Sequence, residues 1–208
     1  MSISPRVSRP LSICMRCCFS IVLCVFTQML SAGCATVVER SGTLSSPGPY
    51  HSDAILTIPY YVHGYSPEIE SVLAGCGAFG PRRYLSDDSA TMSIFINSDR
   101  HDSTTSFIES LPAILNGLSF GVFPMQSYVS IRSDITVLYR GNTYKYNYWG
   151  KVVRRTSVLF SAERDSIPYT QSTAIWHATE AVENEIKSDM GNKLLHDMQR
   201  DGLLPKSK

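Results

Sequence analysis

The sequence predicts an α+β domain with a mainly antiparallel sheet of about four or five strands, covered by two or three helices, and a long helix at its C-terminal end. Three observations carry that expectation. From Tyr128 to Tyr139, Val129, Ile131, Ile135, Val137 and Tyr139 alternate with Ser130, Arg132, Asp134 and Thr136, the period of a strand with one buried face and one wet face. The turn Arg140-Gly141-Asn142-Thr143 then leads into Tyr144 to Val153, where Tyr144, Tyr146 and Tyr148 alternate with Lys145 and Asn147, so the two strands should form a hairpin. From Ser172 to Arg200, Ile175, Ala178, Val182, Ile186, Met190, Leu194 and Met198 recur three or four residues apart, opposite Glu183, Lys187 and Asp197. At 1.5 Å per residue that helix is roughly 40 Å long, enough to cross a sheet.

The other elements follow in order. Asp53 to Val62 reads as a strand through Leu56, Ile58, Tyr60 and Val62, with Pro59 placing it at an edge or a bulge. Ser66-Pro67-Glu68 is a helix start, with a capping hydroxyl, proline in the first turn and a carboxylate near the positive end. That helix should turn Ile69, Val72 and Leu73 inward and stop near Gly75 and Gly77. Ala78 to Tyr84 and Thr91 to Asn97 are strand candidates, the second with Met92, Ile94 and Ile96 on one face. A polar loop is expected from Asn97 to Thr104. In the last helix, Gly191 should weaken or bend it and Gly202 should end it.

Ser106 to Met125 is the least ordinary stretch. Phe107, Ile108, Leu111, Ile114, Leu115 and Leu118 keep a helical stripe, and Ser110 to Met125 carries no charge over 16 residues, broken by Pro112, Gly117 and Gly121. It is short and interrupted for a spanning helix. A core helix followed by an apolar loop is expected, and the other reading makes Leu118, Phe120, Val122 and Phe123 a surface for the lipid interface or another envelope protein.

The N-terminal segment is of another kind. Arg6, Arg9 and Arg16 stand without an acidic residue, and Cys17 to Met29 is a 13-residue uncharged core, the build of a secretory leader. It ends in Leu30-Ser31-Ala32-Gly33-Cys34. This run resembles the lipobox of bacterial lipoproteins, with Ser31 where the family prefers leucine and Leu30 one place earlier. The resemblance implies cleavage between Gly33 and Cys34, diacylglycerol and an N-acyl chain on Cys34, and, with Ala35 rather than aspartate following, the inner leaflet of the outer membrane. An inner-membrane lipoprotein, an uncleaved anchor helix and cleavage by the general signal peptidase are the alternatives. Residues 1–33 would be removed, 34–52 would form a lipidated cysteine and flexible tether rich in Ser, Gly, Thr and Pro, 53–203 the domain and 204–208 a solvated tail. More loosely, Leu118-Ser119-Phe120-Gly121-Val122-Phe123-Pro124 ahead of an alternating strand is similar to a segment of uncharacterised proteobacterial lipoproteins.

Composition bounds the rest. Removing residues 1–33 takes three of 19 basic residues and none of 18 acidic ones, leaving 16 against 18 and a net charge of −2. That balance gives no electrostatic reason to propose nucleic acid as a partner. Of six cysteines, Cys14, Cys17, Cys18 and Cys24 fall in the leader and Cys34 is the lipid site, which leaves Cys76 as a buried small residue or, less simply, a redox handle.

No nucleophile elbow, phosphate-cradling glycine loop or paired metal-ligand spacing stands in the sequence, and no cofactor or metal is expected. His177 and Glu180 have a metal-site spacing in a single copy and read as an exposed polar pair. The chain is therefore expected to be a non-enzymatic accessory or binding protein of the envelope. The alternative is an enzyme acting on an envelope polymer, its site built from His101, Asp102 and the face of Tyr144 and Tyr146.

Overall fold

Two long strands joined by a two-residue turn form the spine of the sheet. In the computed structural model, residues 34–41, 44, 48–50, 59–80, 82–83, 92–103, 125–157, 159, 165–168 and 170–205 are described. In chain order the elements are β1 (Ala35–Ser41), β2 (Tyr60–His63), α1 (Pro67–Gly75), β3 (Arg82–Arg83), β4 (Met92–Asp102), β5 (Met125–Tyr139), β6 (Asn142–Ser157), β7 (Ile167–Pro168) and α2 (Ser172–Arg200). The strands lie in one sheet in the order β3-β2-β4-β5-β6-β1-β7. β2 runs parallel to β3 and β4, and every other pairing is antiparallel. The α+β class and the long C-terminal helix are as the sequence predicts. Among the described residues the sheet has seven strands rather than the four or five expected.

The spine is β5 and β6, in register from Tyr139 opposite Asn142 to Met125 opposite Thr156. Arg140 and Gly141 take positive φ angles of 50° and 77°, the two left-handed residues of a tight turn that matches the strand twist. Arg140 bears that conformation with its guanidinium 5.0 Å from the Tyr139 ring centroid.

One face of the sheet is buried under α1 and α2. Ile94, Ile96, Val129, Ile131, Ile135, Val137, Tyr146, Tyr148 and Val152 meet Ile69 and Leu73 of α1 and Ile186, Met190, Leu194, Leu195 and Met198 of α2 in a single core. Glycine sets two close approaches of the helices. A Cβ on Gly150 would stand 2.4 Å from Ile186 Cγ2, and one on Gly191 would stand 3.0 Å from Val72 Cβ. Gly191 therefore lets α2 lie against α1, where the sequence suggested only a weakened or bent helix. α2 closes as expected: Gly202 has φ 75°, its N–H donates to Gln199 O at 3.1 Å, and Leu203 N–H donates to Met198 O at 2.8 Å.

Several expectations need correction. Ala35–Ser41, assigned to the tether, is a strand hydrogen-bonded between β6 and β7. Tyr50, from the same assigned tether, is buried and donates its hydroxyl to Pro205 O at 2.7 Å. The tail begins too early as well, since Leu204 is buried beside Leu203. A serine-rich stretch reads as tether by its composition, yet Thr36, Val37 and Val38 are β-formers that the neighbouring Ser and Gly residues outweighed. Asn97 to Asp102 continues β4 as a strand instead of opening a loop, because β5 carries the ladder onward from Asn97–Asp134 to Asp102–Val129. Ser66 precedes α1 with Pro67 in its first turn, but its hydroxyl turns to Glu68 Oε2 at 3.4 Å and does not cap the backbone. Glu183 and Asp197, expected on the wet face of α2, are 6% and 7% exposed. Of the strand predicted for Asp53 to Val62, residues 53–58 lie outside the described residues, as do Leu118, Phe120, Val122, Phe123 and Gly33.

Candidate functional site

Burial of Asp197 and Glu183 follows from partners on the sheet and on their own helix. Tyr148 donates its hydroxyl to Asp197 Oδ2 at 2.8 Å, while Lys193 and Arg200 approach Asp197 Oδ1 at 3.0 Å each. One turn on, Tyr146 donates to Asp201 Oδ2, also at 2.8 Å. Burial, reinforced by these carboxylates, pushes both phenols above the ordinary tyrosine range, so each remains a neutral donor. The tyrosine ladder is a latch between β6 and the end of α2. Tyr146 and Tyr148 are buried, and Trp149, 53% exposed, faces the other way on the same strand. The alternation of Tyr144, Tyr146 and Tyr148 in the sequence places these phenols on one face of β6. Sequence reasoning missed the aspartates because a carboxylate at helical spacing looks like surface until its cross-element partners are known.

The second buried carboxylate belongs to a cleft. Glu68 of α1, Arg100 of β4, and Trp176, Thr179, Glu180, Glu183, Asn184 and Lys187 of α2 line a cavity of about 170 Å³. Arg100 Nη2 lies 3.0 Å from Glu183 Oε1, with Arg100 Nη1 3.6 Å from Asp102 Oδ2. Lys187 Nζ lies 3.6 Å from Glu68 Oε1 and ties the two helices. Trp176, 54% exposed, forms the apolar part of the rim. Thr179 commits its hydroxyl to Ile175 O at 2.8 Å. The lining thus offers paired charges beside an indole face, the chemistry of recognition for a polar ligand. The register that brings Arg100 under Glu183 is set by β4 pairing with β5 beyond Asn97, which the expected loop concealed.

The remaining predicted residues fall apart in space. His101 lies on the sheet face opposite Arg100 and hence opposite Tyr146, so the constellation of His101 with the tyrosine face is not assembled. His177 and Glu180 are an exposed pair, 3.8 Å apart. Among the described residues no group of three or more His, Cys, Asp or Glu is placed to hold a metal ion. Cys76 is buried, its thiol hydrogen-bonded to Leu73 O at 3.1 Å, and burial raises its pKa, which leaves it a poor nucleophile. The face away from the helices carries exposed Phe95, Leu138 and Trp149, with His63 stacked on Phe95 at 4.1 Å and Lys151 over the Tyr128 ring at 3.7 Å.

Cys34 stands immediately before β1, half-buried and with a free thiol. Ala35 is opposite both Ser157 and Pro168, and the Thr36 and Thr156 hydroxyls share a hydrogen bond of 2.9 Å. The cysteine is therefore fixed to the end of the sheet, with no slack between them. Among the described residues no helix is long and apolar enough to cross a membrane.

No protein-family model and no curated protein matches the chain. Among solved structures it is similar to a minor lipoprotein from Acinetobacter baumannii at 8% identity, over 74% of this chain and 99% of that one, with a TM-score of 0.40. A likeness at that level carries no functional argument.

Proposed function

We propose that the protein is a lipoprotein of the bacterial envelope, held to a membrane by diacylglycerol on Cys34, with its domain in the periplasm. The observation that carries this reading is Leu30-Ser31-Ala32-Gly33-Cys34, placed after a basic segment and an uncharged 13-residue core and directly before β1. Each buried methylene contributes about 0.8 kcal/mol, and two or more acyl chains make the attachment stable where one would be reversible. With Ala35 as the second mature residue, the anchor is in the inner leaflet of the outer membrane.

The domain's work is binding, as an accessory to another envelope component, and it involves no catalysis. Support comes from the cleft, where Glu68 and Glu183 are already paired with Lys187 and Arg100 and the threonine hydroxyl is engaged. It comes also from His101 and Tyr146, which lie on opposite faces of the sheet. Cell fractionation tests the anchor: sedimentation with outer membranes is expected, and release of the wild-type protein by osmotic shock would overturn the reading.

A further inference from the structure

We infer that the protein rests on the lipid surface by one particular end of its sheet, the end carrying Cys34, and holds the Arg140–Gly141 hairpin tip away from it. The inference rests on the lipid-anchor reading and adds an orientation to it.

The first ground is the missing tether. Consecutive Cα atoms are 3.8 Å apart, so Ala35, buried and paired on both sides, lies about 4 Å from the Cα of the lipid-bearing residue. A flexible run of 18 residues would instead give a mean span of about 23 Å, at 5–6 Å times the square root of the residue number. A domain attached without slack cannot turn this end away from the bilayer.

The second ground is what else the sheet places there. Ser157 is opposite Ala35, and Leu159, its amide bonded to the Ser157 hydroxyl at 3.2 Å, is 58% exposed. Met125 is opposite Thr156, and Ser103 donates its amide to Tyr128 O at 3.1 Å, so β4 ends and β5 begins at this same end. The anchor and an exposed leucine therefore share one edge of the domain. Lipid is the surface that suits such an edge, since it takes apolar groups without requiring a shaped partner. β6 runs 16 residues from Asn142 to Ser157, so at about 3.3 Å per residue the tip can stand up to roughly 50 Å from the bilayer.

The test uses the processed, lipidated protein in vesicles of phosphatidylethanolamine and phosphatidylglycerol containing a nitroxide-labelled phospholipid. A fluorophore is attached through Leu159→Cys in one variant and Asn142→Cys in another, both at exposed positions and with Cys76 buried from the reagent. Loss of fluorescence at Leu159→Cys with none at Asn142→Cys is expected. Equal loss at both positions, or none at Leu159→Cys in protein whose mass shows the lipid, overturns the orientation and leaves the anchor standing. A mass without lipid overturns the anchor, and the orientation with it.

Discussion

Tyr148 and Gly150, two residues apart on β6, hold the long helix by opposite means. Tyr148 supplies a neutral donor to a buried carboxylate, and Gly150 supplies the absence of a side chain. Tyr148→Phe is expected to cost about 1.5–3 kcal/mol in urea denaturation, the range for a hydrogen bond to a charged group. The same variant checks the pH dependence. The folded state keeps Tyr146 and Tyr148 protonated beyond the ordinary tyrosine pKa, so their contribution is whole below about pH 10 and falls as pH rises further, where the unfolded chain releases protons that the folded chain retains. Melting temperature should drop steeply above that pH, and less steeply in Tyr148→Phe; parallel curves would exclude the latch. Gly150→Ala drives a methyl into Ile186 and should cost about 1–3 kcal/mol, read by the same denaturation.

Elements were legible wherever a period ran long enough to be read. The 29 residues of α2 and the 12 of the alternating run in β5 declare themselves through the positions of Ile, Val, Leu and Met. The two residues of β3 and of β7 are too few to show any alternation, and they exist because a neighbouring strand offers its edge. β1 is the instructive miss. Its residues have strand propensity, but Ser, Gly and Pro downstream made the whole segment look like a tether, and the pairing that orders it lies about 120 residues away, where Thr36 meets Thr156. The cleft was hidden for the same reason, because Arg100 and Glu183 are 83 residues apart in sequence. Removal of residues 35–41 separates the two descriptions of β1. A tether could be lost without effect on the fold, whereas loss of a strand paired on both sides should abolish cooperative thermal unfolding by circular dichroism.

At the scale of the whole molecule, the sheet joins Cys34 to the cleft through one rigid body. Cys34 is continuous with β1, β1 pairs with β6, and Arg40 of β1 is ion-paired to Asp189 of the helix that lines the cleft. The cleft therefore has a set position relative to whatever holds Cys34, which a tethered domain would lack. Everything in that account depends on the chemistry at one residue. The most direct measurement is the intact mass of membrane-extracted protein beside a Cys34→Ser variant. The expected result is a wild-type chain that begins at Cys34 and carries diacylglycerol and an acyl chain, and a variant that accumulates with residues 1–33 still attached. A wild-type chain that begins elsewhere, or that begins at Cys34 without added lipid, would contradict it.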